Sequence, residues 1–183
     1  MDKQQQNKII EAADLFNKAL RKLVVVDGGI HAETIIAAAA RMAGTMLFRS
    51  FPPQFAQIEP GTPVVSDEAD SQGPALMQTM FATLRQLGHT DLDEHGLGGA
   101  RESTSLARLS LAQTQQTLEP WCRKIMQASG LSFREMAVAA AVTAGLLIHD
   151  CASVLPIHSG CSIAVHGMVE ALKTAPQALA TEG

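Results

Sequence analysis

The stretch His31 to Phe51, HAETIIAAAARMAGTMLFRSF, limits this chain more than any other. Wound at 3.6 residues per turn, it puts Ile35, Ile36, Ala39, Ala40, Met42, Ala43, Met46 and Leu47 on one broad face. Ala37, Gly44 and Phe48 fall on the other side, so only a narrow polar stripe remains: His31, Thr34, Arg41, Thr45 and Arg49. A helix apolar on nearly all sides belongs in a core. A guanidinium carried into a core needs a carboxylate or another anion beside it. The stretch is therefore expected to be a central helix with two arginines in want of partners.

Met136 to Ile148, interrupted only by Thr143, gives a second helix of the same kind. Its start is marked by Ser132-Phe133-Arg134-Glu135, a capping box in which serine and glutamate each satisfy an orphan amide, with Leu131 and Met136 placed for a hydrophobic staple. Its 13 residues would span roughly 20 Å, against about 30 Å for a bilayer core, so it predicts a core helix and no membrane span. Ala40/Gly44 and Ala141/Gly145 are small pairs four apart that invite close approach of another backbone. Two such helices are hard to cover in a small bundle. A homodimer is therefore expected, with a second copy burying what one chain leaves open.

With no Tyr, one Trp and abundant Ala, Leu and Met, the composition favours helix over sheet. The fold expected is a single all-α domain over residues 1–183, with about six or seven helices around central helices at 31–51 and 132–151. Lys3 to Val24 reads as an amphipathic surface helix, and Val24-Val25-Val26 as its last turn or a short strand before Asp27-Gly28-Gly29. Pro52-Pro53 stops the central helix. Residues 52–74, with five prolines and the acidic group Asp67, Glu68 and Asp70, read as a crossover loop. Further helices are expected from Ala75 to Leu87, from near Glu102, from Pro120 to Gly130, and from Ser159 to Ala175.

The net charge of −4 and the lack of a basic, aromatic-rich cluster argue against nucleic acid as a partner. Three irregularly spaced cysteines suit free thiols in a reducing cytoplasm. The polar start, MDKQQQNK, lacks a secretory apolar core. No cofactor is implied.

Four groups of residues could carry chemistry. Arg41, Thr45 and Arg49 lie close to one face, and arginine forks suit a carboxylate or phosphate. They are either a site for a small anionic ligand or paired internally, with Asp14, Glu135 or the acidic loop as partners. His31-Ala32-Glu33 resembles the zinc deaminase signature, in which the histidine binds zinc and the glutamate moves protons. That family also has two cysteines two apart after a proline, whereas this chain has only Pro120-Trp121-Cys122.

Gly145 to Asp150, GLLIHD, resembles the apolar helix ending in His-Asp of metal-dependent phosphohydrolases of the HD type. The resemblance implies His149 and Asp150 as metal ligands that activate water. It also implies an upstream histidine, for which His89, His95 or His31 could serve, and a downstream aspartate, which the chain lacks. Finally, His149, Asp150, Cys151, His158, Cys161 and His166 concentrate nitrogen, oxygen and sulfur donors within 18 residues, with His149, Asp150 and His158 as the first choice for a metal. The leading expectation is a non-catalytic protein that binds a partner or a small anion. The rival is a metal-dependent phosphohydrolase using His149 and Asp150.

Overall fold

The computed structural model describes residues 3–92 and 107–178. Among them are six α-helices: α1 (Lys3–Leu23), α2 (Ala32–Arg49), α3 (Asp67–Gln86), α4 (Leu111–Ser129), α5 (Phe133–Asp150) and α6 (Ile157–Leu172). The all-α bundle expected from composition is what forms.

Side-chain contacts fix the helix directions. Gln5 reaches Glu135, Thr143 reaches the Ala13 carbonyl and Arg21 reaches Asp150, so α1 and α5 run side by side in one direction. α2 descends against them, with α6 parallel to it: Gly167 lies against Ala37 and Ala40, and Gly44 against Met168 and Ala171. α3 climbs again, meeting Gly145 at Met80 and Thr83. α4 runs down α2 from Leu109 to Glu119, and the chain then turns through 115° into α5.

α2 is the axis of this arrangement. Every residue from Thr34 to Phe48 is buried, packed chiefly by α6 and α5 and also by α4. α5 is buried between α2, α3 and α1. The two Ala-rich helices therefore do form a central pair, and one chain covers both. The argument for a second copy from uncovered apolar helices thus loses its premise. The small residues admit a close neighbour in each case. Gly44 receives the backbone of α6, and Gly145 receives α3.

At the foot of α2, the rings of Phe48, Phe51 and Phe55 pack with centroids 5.6–5.9 Å apart, largely edge to face. Pro52 then turns the chain into a short 3-10 segment, Pro53–Gln57.

Three local expectations need correction. The crossover loop ends at residue 66: Ser66 caps α3 by accepting from the Ala69 amide (3.1 Å), and Asp67, Glu68 and Asp70 form its first turn, where the helix dipole favours anions. Pro74 lies inside α3, its ring on the solvent side of a helix that buries Ala69, Gly73, Leu76 and Met80. Pro120 likewise lies within α4, which starts at Leu111 behind a second capping box made by Ser110 and Gln113. The segment 107–110 is not helical, and the expected start near Glu102 lies outside the described residues, as do His95 and the Gly96–Gly99 run. Finally, the Val24 amide still donates to the Leu20 carbonyl (2.8 Å) and closes α1, while Val26 and Gly29 pair as a two-residue hairpin turn and begin no sheet.

The box at Ser132 is present in full. Its hydroxyl accepts from the Glu135 amide, while the Glu135 carboxylate accepts from the Ser132 amide (2.7 Å). Donation to the carboxylate, from the Ser132 amide first and the Ser132 hydroxyl second (2.7 Å), holds the Glu135 carboxyl below its ordinary range. A carboxyl depressed in the folded state contributes stability above its unfolded pKa and loses it as pH falls. Ser132→Ala is thus expected to cost about 1 kcal/mol at pH 7 in urea unfolding. The gap between variant and wild type should narrow on acidification, and a gap constant with pH would contradict the assignment.

Candidate functional site

The stripe on α2 becomes a polar seam, taken up in order by the segment 108–119. The Arg108 amide donates to Thr34 Oγ1 (3.0 Å), which is 2.8 Å from His31 Nδ1. Arg41 donates through Nε to Glu170 Oε2 (2.7 Å) and through Nη1 to the Leu109 carbonyl. Gln115 Nε2 donates to Thr45 Oγ1 (3.1 Å). Arg49 forks onto both oxygens of Glu119 (2.9 and 3.1 Å) and also donates to the Gln177 carbonyl. Gln115 Oε1 accepts the Gln177 amide (3.1 Å), so residue 177 is held at both its amide and its carbonyl.

Arg41, Thr45 and Arg49 thus face carboxylates and amides of the same chain. The partners are Glu170, Gln115 and Glu119. Asp14 is bound to Lys18 (2.6 Å), Glu135 is in the capping box, and the acidic group begins α3. Among the described residues, no buried side-chain nitrogen or oxygen lacks a hydrogen bond. Sequence reasoning missed Gln115 and Glu119, although a signal existed. They are four apart, as Thr45 and Arg49 are, and with Thr114, Leu118 and Cys122 they make one buried helix face. One polar ladder matched another.

The upper end of the bundle gathers α1's last turn, α2's first turn, and the ends of α3 and α5. His149, in the last turn of α5, meets His89 there, with His149 Nδ1 2.9 Å from His89 Nε2. The rings meet at 61°, their centroids 5.1 Å apart, so they approach through their edges and do not stack. His89 is set by the way α3 ends. Gly88 takes φ +96°, which a side chain disfavours, and the Gly88 and His89 amides return to the carbonyls of Arg85 (3.1 Å) and Leu84 (3.0 Å). Of the two upstream histidines among the described residues, His31 and His89, it is His89 that the fold brings to His149.

Asp150 is directed elsewhere, to Arg21 (2.5 Å). His158 is exposed in the first turn of α6. Among the described residues no three His, Cys, Asp or Glu side chains come together as a metal cluster, so His149, Asp150 and His158 do not form the expected trio. His31 and Glu33 lie 3.4 Å apart at the start of α2. Cys122 sits inside, its thiol pushed up by burial and then by Glu119. Burial alone pushes Cys161 up to about 11 and is the main cause raising Cys151. None of the three is in a thiolate-favouring setting.

Fold and seam together define an all-α bundle that covers its own central helices and neutralises its own interior cations. No protein-family model, curated protein or solved structure matches the chain. Among the described residues, no single helix is long and apolar enough to cross a membrane.

Proposed function

We propose that the chain is a non-catalytic protein that works by binding, with a second copy of itself as first partner. The observation that supports this reading is the hairpin at the upper end. Val25 and Ile30, next outward from the paired Val26 and Gly29, are 50% and 49% exposed. Val154, after α5, is 76% exposed at the same end, where Arg21 joins α1 to α5. Isolated exposed apolar residues are ordinary, but an apolar pair fixed across a tight turn is a preformed contact. A two-fold axis there would set one hairpin against the other.

Light scattering tests it. The full chain at micromolar concentration is expected at twice 19.4 kDa. The Val25→Asp/Ile30→Asp variant should be a monomer with unchanged helicity. A wild type of single-chain mass overturns self-association.

A second reading, a metal-dependent hydrolase, draws on the contact of His149 with His89. Asp150, which that reading needs as a ligand, is engaged with Arg21. The geometry favours the metal-binding half of it over the catalytic half.

A further inference from the structure

We propose that His89 and His149 form a chelating pair for a late first-row divalent ion such as Zn2+, Ni2+ or Cu2+. The inference is independent of self-association, since neither histidine belongs to the hairpin.

The spacing carries it. Two imidazole nitrogens bound to one ion at 2.0–2.1 Å lie about 2.9 Å apart at a right angle and about 3.3 Å apart at the tetrahedral angle. His89 Nε2 and His149 Nδ1 are 2.9 Å apart already. Both rings are only partly buried, so an ion can reach their shared edge from solvent. Both come from fixed elements, His149 from the last turn of the central α5 and His89 from the bonded end of α3. With centroids 5.1 Å apart the two nitrogens meet nearly head-on, so each ring tilts about its fixed backbone to aim its lone pair at an ion beside the line that joins them.

Without an ion, one nitrogen of the pair carries the hydrogen and the other accepts it. To bind, both must present lone pairs, which neutral rings achieve by moving that hydrogen to the distal nitrogen, His89 Nδ1 or His149 Nε2. No net proton is lost, and acid competes by protonating the rings. Two imidazoles select late first-row ions over Mg2+ and Ca2+, which take oxygen. Among the described residues no third protein donor of the usual kinds joins them. Water or an outside ligand would complete the coordination, making the ion exchangeable.

The test uses the untagged full chain, stripped with chelator and titrated with ZnCl2 or NiCl2 while thermal unfolding is followed. Expected is a saturable rise in Tm at one ion per chain, absent with MgCl2. His89→Ala and His149→Ala should each weaken binding by at least the ~10–100-fold that loss of a second-shell partner costs, while the exposed His158→Ala binds as wild type does. Should His149→Ala unfold, 15N spectra of the wild-type imidazoles keep the test decisive: Zn2+ must shift His89 Nε2 and His149 Nδ1. No binding at millimolar metal, or equal binding by wild type and His89→Ala, overturns the proposal.

Discussion

Arg49→Met is expected to cost about 3–5 kcal/mol of folding stability in urea unfolding at pH 7. The reason lies in what remains behind. The Glu119 side chain is 8% exposed, and without the guanidinium it is a buried carboxylate with no counter-charge. The Gln177 carbonyl loses a donor in the same step. Removing both charges, as in Arg49→Met/Glu119→Met, should restore most of the loss, because apolar groups of similar size remove the desolvation burden. Arg41→Met should cost less, since Glu170 is 33% exposed and water can take over its carboxylate. A near-neutral Arg49→Met would mean that the stripe is not a structural seam, and would return Arg41, Thr45 and Arg49 to consideration as an anion site.

Gly44→Ala is the second large effect. A Cβ there would stand 2.5 Å from the Met168 carbonyl oxygen and 2.9 Å from the Ala171 Cβ, so α2 and α6 must separate. Alanine is worth about 1 kcal/mol over glycine in an open helix, yet overpacking of a closed core costs about 1–3 kcal/mol and occasionally more. With backbone on the opposing side, the upper end applies, and a net loss of about 2 kcal/mol is expected. The sign is the check, read as a lowered Tm. A stabilised Gly44→Ala would show that the two helices do not touch there.

The central helices were legible because their signal is unusually pure: a run of apolar residues too long to be a surface face and too short to span a bilayer. The capping box at Ser132 and the helix ends at Gly88 and Gly130 were equally plain, since backbone chemistry there depends on neighbours in sequence. Two prolines misled. Pro74 and Pro120 read as boundaries, but each lies inside a helix whose start is fixed by a serine cap, at Ser66 and Ser110.

The polar stretch from Gln113 to Glu119 hid a buried face, because its partners are on α2, some 70 residues earlier. Local periodicity cannot reveal that two polar residues cancel across such a distance. The meeting of His89 with His149, 60 residues apart, was open to sequence reasoning only as one of several choices. Tertiary geometry decided it.

The seam also bears on how the protein is made. α2 leaves the ribosome early, but Arg41 waits for Glu170 and Arg49 for Gln177, separations of 129 and 128 residues. At about 5–20 residues per second, that leaves roughly 6–26 seconds before the last cover of an almost wholly apolar helix is in place. Pairings so remote in sequence close late, because their loops must be ordered first. Chains truncated before residue 157, which lack α6, should therefore be bound by chaperones or lost to protease, whereas the full chain accumulates as folded protein.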